Sequence, residues 1–397
     1  MFIKGPEIKY VDVDLNEKHL EEALISAAKT IAKIVGMGLD YRSEIPTIRS
    51  IKKTDISSVL YLDFTDTYTH SFEIHIPKFT RGVITINGVK RYIQKQIRDT
   101  LFVRPNPSSV RVEIGNFEIF FNKKTMYVSV DKVSVPIYYL YRFAQSIYGS
   151  HSEHDELALF AEKDPLLKKQ VEEIQGSRGG VTKIISSTLS RGKLTKLVKS
   201  ISIIFSIYKD FLDQYVTGLD DLLYKIYLFS YNNKERETGL DLTHRIVRRP
   251  YDIMFDSFVQ RLASEILYVR YLSKKRNVHK KLEVTKDLYE FVLMEQFTAP
   301  LAVISDLNRC TILGRGGFTR DNVPAKVRDL HPTQYMNLDP CVTPDRDNAG
   351  VITFLATNVE LDRFGRFKDL VEREKEYLNN IFEEAKRKLI SVEKQEV

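Results

Sequence analysis

The stretch Gly314-Arg-Gly-Gly-Phe-Thr-Arg320 packs three glycines and two arginines into seven residues. Glycine lets a backbone approach a ligand closely, and a guanidinium fork pairs well with phosphate oxygens. One chemistry open to these residue types is grip on a polyanion, with Gly316 and Gly317 giving access and Arg315 and Arg320 giving charge. Taken by themselves, the same residues fit a tight turn carrying solvated arginines better. A second chemical feature is the distribution of charge. Arg178 to Lys209 holds seven Lys or Arg and no Asp or Glu, and Ile266 to Leu282 holds six and none, whereas Ser305 to Gly350 is balanced at six and six. The excess of the net +7 charge therefore lies in the middle of the chain, where Lys193, Lys196 and Lys199 recur every third residue. Such a cluster either meets phosphates or is a solvated helix face.

Other chemistry-bearing residues say less. His151 and His154, beside Glu153 and Asp155, sit in a polar segment before a helix, where acids also complement the helix dipole. Gly176-Ser-Arg-Gly-Gly-Val-Thr-Lys183 lacks the Gly-Lys-Ser/Thr spacing and the preceding strand of a phosphate loop. Cys310 and Cys341 are the only cysteines, too few for a zinc site, and fit a reducing cytoplasm. The N-terminus meets charges too soon for a signal peptide. The longest uncharged apolar run, about Ser200 to Tyr208, is far short of the ~20 residues a membrane helix needs.

The elements that must position these residues follow from periodicity. The 397 residues and 43% hydrophobic content allow two or three domains. Glu17 to Met37 predicts a helix, with Leu20, Ala23, Leu24, Ala27, Ala28, Ile31 and Ile34 at helical spacing. Strand-like runs follow at Val59–Phe64, Phe72–Ile76, Val83–Ile86, Val110–Ile114, Phe117–Phe121 and Met126–Val130, separated by turn formers such as Asn87-Gly88 and Gly115-Asn116. Ser152 to Lys281 reads as helical, with helices over Leu194–Phe229, broken at Gly218, and over Met254–Leu272. Phe291 to Gly365 is rich in Gly, Pro, Thr and Asn without a simple period. Phe367 to Val392 predicts a closing amphipathic helix, docked on its own domain or on another chain.

Three blocks carry a family resemblance: Gly314 to Arg320, then Arg328-Asp-Leu-His-Pro-Thr-Gln-Tyr335, then Pro340-Cys-Val-Thr-Pro-Asp-Arg-Asp-Asn-Ala-Gly350. In order and spacing they resemble the fork region of multisubunit RNA polymerase β subunits. That family shows a Gly-rich loop ending in Thr-Arg, then Arg-Asp-Val-His-Pro-Thr/Ser-x-Tyr, then Pro-x-x-Thr-Pro-Glu-Gly-x-Asn-x-Gly. Upstream, Ile76-Pro77, Ile86-Asn87-Gly88 and Arg91-Tyr-Ile-Gln-Lys-Gln-Ile97 resemble another block of the family. His244 with Arg248-Arg249 and Ala299-Pro300-Leu301 resemble two more, and Phe354-Leu-Ala and Phe364-Gly-Arg-Phe resemble its next strands.

The resemblance implies an α+β, multidomain chain: a mixed protrusion-like domain over 1–148, a mostly helical lobe over 149–282, and a return to the protrusion with the irregular fork and terminal helix over 283–397. It implies the N-terminal part of a split β subunit, one wall of the active-site cleft of a DNA-dependent RNA polymerase, touching downstream DNA and the RNA–DNA hybrid. Arg309, Gln296, Asp345 and Asn348 match positions lining the RNA path, Arg315 and Arg320 face downstream DNA, and Lys193, Lys196 and Lys199 fall in the lobe. No catalytic residue is implied here. The family's Mg²⁺ ions sit on an Asp triad of the β′ subunit. No Asp-x-Asp-Gly-Asp run occurs, and the nearest carboxylate pairs, Asp63 with Asp66 and Asp220-Asp221, read as ordinary surface charges.

Implied partners are a C-terminal β fragment, β′-like subunits, a promoter-specificity subunit, template DNA and nascent RNA. Split subunits of this kind resemble those of large-genome bacteriophages, which places the chain in the cytoplasm of an infected bacterium. The alternative is a free-standing nucleic-acid-binding regulator derived from such a subunit. The sequence also departs from the family. Glu-Gly after Thr-Pro is Asp345-Arg346, Gly-Arg after Tyr is Met336-Asn337, and the positions matching rifampicin contacts read Leu293, Gln296, Asp306 and Thr311, which implies resistance to that drug.

Overall fold

A computed structural model describes residues 17–36, 47–53, 57–65, 69–77, 79–80, 83–86, 89–148, 155–176, 189, 191–231, 240–272, 278–283, 292–294, 305–342, 344 and 346–390. The fold is α+β, with several small sheets and helices of up to 23 residues. The chain forms two compact units. One comprises Met1–Arg98, Gly239–Leu242 and Ile246–Asp369, the other Asp99–Thr238, Thr243–Arg245 and Leu370–Val397.

In the first unit the helix Glu17–Gly36 buries Leu24, Ala27, Ala28 and Ile31, the face its periodicity marks out, and lies along the helix Pro250–Leu272. The latter starts four residues earlier than expected because Pro250 takes the first helical position and Asp252 accepts the Arg249 N–H at 2.9 Å, closing the helix end. The strands Thr47–Lys53, Ser57–Thr65 and Thr69–Pro77 form an antiparallel sheet, to which Val278–Glu283 adds in parallel. That last strand corrects the helical reading of residues up to 281. It pairs with residues some two hundred positions away, which local periodicity cannot report. A further sheet runs Arg245–Arg248, Lys95–Asp99, Arg309–Thr311 and Ile352–Phe354, with Arg309–Thr311 parallel to Lys95–Asp99. It carries the glycine-rich loop.

The second unit is a five-stranded antiparallel sheet, from Phe102–Asn106 to Val133–Pro136, under the helices Ile137–Tyr148, Pro165–Gln175, Arg191–Ile207, Leu219–Ser230 and Val371–Ile390. Its last hairpin turns through Asp131 and Lys132, both at positive φ, the geometry that matches strand twist in two-residue hairpins. The helical break expected at Gly218 is present, and Leu219–Ser230 follows it. The closing helix, Val371–Ile390, docks on its own unit. Leu378, Ile381, Phe382, Ala385 and Leu389 are buried, and Phe382 meets Phe102 edge-on with centroids 5.8 Å apart.

The Asp220-Asp221 pair is not a pair of surface charges. Asp220 is buried, while Asp221 accepts the Thr217 N–H at 2.9 Å and pairs with Lys225 at 2.9 Å. Asp63 and Asp66, His151 and His154, and most of Gly176–Lys183 have side chains outside the described residues.

Candidate nucleic-acid interface

The loop Ile312–Phe318 leaves the strand Arg309–Thr311 and folds back on itself. Phe318 N–H donates to Ile312 O at 3.0 Å, Gly317 N–H to Gly314 O at 2.9 Å and Gly314 N–H to Phe318 O at 3.1 Å. Ile312 N–H donates to Val351 O at 3.0 Å, and the Thr311 hydroxyl accepts Leu313 N–H at 3.1 Å. The Thr311 side chain thus helps to hold the loop's stem.

Beneath the loop lies Gln96, fully buried. Its Nε2 donates to Leu313 O at 2.9 Å and to Arg315 O at 3.0 Å, and its Oε1 accepts from Arg248 Nη1 at 2.9 Å. Arg248 Nη2 reaches Asp256 Oδ2 at 2.7 Å, with only 2% and 8% of the two side chains exposed. Three stretches far apart in sequence meet in this network, and Arg315 is left with its carbonyl drawn inward and its side chain exposed.

The segment after the loop is fixed by side chains that bond to backbone. His331 accepts the Thr333 N–H and lies 2.8 Å from the Thr333 hydroxyl, which donates to Asp241 at 3.1 Å and accepts Leu242 N–H at 2.9 Å. Gln334 Nε2 donates to Leu240 O at 3.1 Å, and Asn337 Nδ2 to Thr333 O and Asp369, both at 3.1 Å. His331 is therefore a turn-holding residue. Met336, between these anchors, has φ 66° and is 71% exposed. Met336 holds this left-handed turn where a glycine would adopt it without strain. An L-residue in that region is strained by about 1–2 kcal/mol, offset in part by glycine's larger unfolded-state entropy. Met336→Gly is expected to raise stability by up to about 1 kcal/mol. Thermal denaturation checks this, and an unchanged or lower midpoint would contradict it.

Of the residues singled out in the sequence, the structure brings Arg320 and Asn348 together, the Arg320 guanidinium donating to Asn348 Oδ1 at 3.4 Å. Arg315 and Arg320 are exposed, and Arg309 is half-buried on its strand with an enclosed Nε that makes no hydrogen bond. Gln296 and Asp345 lie outside the described residues. The three lysines do not share one open face. Lys193 is exposed, Lys196 pairs with Asp131 at 2.8 Å, and Lys199 is only 5% exposed. Reversal of Lys199 would test burial of a carboxylate rather than nucleic-acid contact. Among the described residues no three His, Cys, Asp or Glu side chains are grouped to hold a metal ion, and no helix is long and apolar enough to cross a membrane. Sequence reasoning missed Gln96, Arg248 and Asp256 as site residues, although the first two lie in stretches it had marked for their resemblance.

Residues 292–361, which contain the whole loop, match the family described as RNA polymerase Rpb2, domain 3. The chain is similar to the DNA-directed RNA polymerase subunit beta of Mesoplasma florum, 27% identical over 191 residues, covering 42% of this chain and 15% of that protein. It is 39% identical over 85 residues to that of Bdellovibrio bacteriovorus, 21% and 6% of the two chains, and 39% over 83 residues to that of Prochlorococcus marinus, 20% and 8%. The matched stretches span at most 15% of the length of these relatives. The chain is a protein like the β subunit of RNA polymerase, and the likeness includes the segment that forms the loop.

Proposed function

We propose that this chain works as the N-terminal part of a β-type subunit in a multisubunit DNA-dependent RNA polymerase. In this reading it forms one wall of the active-site cleft, with protrusion-like, lobe-like and fork segments over 1–148, 149–282 and 283–397. The observation that carries the reading is the match over residues 292–361, coincident with a glycine-rich loop anchored from below by Gln96 and presenting Arg315 at the surface. Arg315, Arg320 and Asn348 contact the nucleic-acid backbone there, and Arg309 supports the RNA side. Sequence-independent charge is added by Lys193 in the second unit.

The chain holds the path, and the chemistry comes from elsewhere. In this reading Mg²⁺ is held by a β′-like partner, and the chain does not catalyse by itself. The remaining partners are a C-terminal β fragment and a promoter-specificity subunit. The split form suits a large-genome bacteriophage acting in the cytoplasm of its bacterial host.

The test is retention of template by the assembled enzyme as a function of salt. Each lost phosphate contact lowers the slope of log affinity against log salt by about 1. Lys193→Glu is expected to lower it by at least about 1, and Arg315→Ala with Arg320→Ala by about 2. Slopes equal to that of the unaltered enzyme would refute these contacts. Recovery of the chain from its source cells as a lone monomer would favour a free-standing regulator instead.

A further inference from the structure

We infer that Arg248 and Asp256 are positioning residues for the nucleic-acid-facing loop, acting through the orientation of one buried amide. The inference rests on the reading that Arg315 meets nucleic acid.

A primary amide has an acceptor end and a donor end of nearly the same shape, so its partners decide which way it faces. Gln96 is fully enclosed and has partners on both sides. On the loop side stand two carbonyl oxygens, Leu313 O at 2.9 Å and Arg315 O at 3.0 Å, which require donors. On the other side stands Arg248 Nη1 at 2.9 Å, a donor with no accepting capacity, which requires the amide oxygen. Both sides agree on one orientation, and the two hydrogens of Nε2 are used on the two carbonyls.

Without Arg248 the loop side alone would hold the amide. The flipped state, with Oε1 facing the two carbonyl oxygens, would then push the loop away. Arg248 is itself aimed by Asp256 Oδ2 at 2.7 Å, and burial of both side chains keeps water from substituting. The carboxylate on the helix Pro250–Leu272 thus fixes the guanidinium, the guanidinium fixes the amide, and the amide draws in the carbonyls at 313 and 315. With those carbonyls inward, the Arg315 side chain is displayed outward.

The experiment uses the full chain and a fluorescein-labelled forked DNA carrying an RNA–DNA hybrid, with dissociation constants read at low salt. Arg315→Ala is expected to weaken binding about five- to tenfold, the loss of one charge-assisted phosphate contact. Arg248→Met should weaken it by a similar factor. Arg248→Lys should recover most of the loss, because an ammonium still selects the amide oxygen. In the Arg315→Ala background, Arg248→Met should add nothing. Arg248→Met with Asp256→Leu, which leaves no buried charge uncompensated, repeats the measurement if the single variant does not fold. Amide hydrogen exchange at Leu313, Gly317 and Phe318 should quicken in the Met variants and not in Arg248→Lys.

A merely structural role would lower stability and leave the two losses of binding additive, and that result overturns the inference while sparing the loop's function. Failure of Arg248→Lys to recover binding in a folded chain overturns it too. Binding indifferent to Arg315→Ala, or absent in the unaltered chain, overturns both the inference and the reading beneath it.

Discussion

Gln96→Glu is expected to free the loop Ile312–Phe318 and to lower the unfolding free energy by about 3–5 kcal/mol at neutral pH. The substitution changes one atom type and almost no volume, so packing is not the cause. One oxygen of the new carboxylate keeps the contact with Arg248 and makes it an ion pair. The other takes the place of an N–H₂ group that lies 2.9 Å and 3.0 Å from two carbonyl oxygens. Two part-buried carbonyl oxygens lose their donor and face a third acceptor bearing charge. Each unsatisfied group costs about 1–3 kcal/mol when fully buried. Partial exposure of the carbonyls and the ion pair with Arg248 reduce that sum, the added repulsion raises it, and the net is the stated range.

The pH dependence has a definite sign. Burial and the two facing carbonyls raise the folded-state pKa of the substituted carboxyl, and Arg248, already neutralised by Asp256, offsets this only in part, so the pKa lies above its unfolded value. The variant's deficit is therefore full at neutral pH and shrinks as pH falls and the group protonates, since the acid form supplies one O–H donor. Urea denaturation at pH 7 and pH 5, with hydrogen exchange at Leu313, Gly317 and Phe318, measures both parts. Equal midpoints for variant and unaltered chain, with protection unchanged, would show that the amide does not hold the loop.

The loop itself was legible in the sequence as a turn, from its glycine spacing, and its proposed role came from the resemblance of the surrounding blocks. The elements with a strong local period were legible too, as Glu17–Gly36 and Val371–Ile390 illustrate. What holds the loop was not. Gln96 is 217 residues from Leu313 and 152 from Arg248, and no local pattern reports partners at such separations. Its strand, Lys95–Asp99, is buried at every position yet carries Lys, Gln, Arg and Asp, so its polarity reads as surface or loop. The strand Val278–Glu283 was read as part of a helical stretch for a related reason. It exists by pairing with Thr69–Pro77.

The lysine cluster shows a different limit. Lys193, Lys196 and Lys199 share one side chain chemistry but not one environment, because the middle of the helix Arg191–Ile207 is buried in its unit while Lys193, near its start, is exposed. Leu197, Ile201, Ile203 and Ile204 are all buried, and Lys199 goes in with them, while Asp131 meets Lys196 from a hairpin turn. Counting charges gives the sign of a segment. Which of those charges reach solvent is decided by tertiary packing, and here Lys193 is the one of the three that is exposed.

Gly317→Ala is expected to be more damaging than Gly316→Ala, although only Gly316 sits at positive φ, at 80°. At 316 a methyl group meets conformational strain of about 1–2 kcal/mol. At 317 the obstacle is contact. A Cβ there would lie 2.2 Å from Ile312 O and 3.2 Å from Gln96 Nε2. The carbonyl cannot retreat cheaply, since it accepts Phe318 N–H at 3.0 Å, and its own residue's N–H is tied to Val351 O at 3.0 Å. Relief requires opening the Phe318–Ile312 hydrogen bond or lifting the loop off Gln96, so the loss is about 2–4 kcal/mol. Opening the loop also withdraws Arg315, so nucleic-acid binding should fall with stability in Gly317→Ala and hold up better in Gly316→Ala. Denaturant midpoints and binding of the forked DNA, measured for both variants, decide the matter. A larger loss at 316 would mean that the loop depends on left-handed backbone, and that the close approach of residue 317 to the strand beneath is incidental.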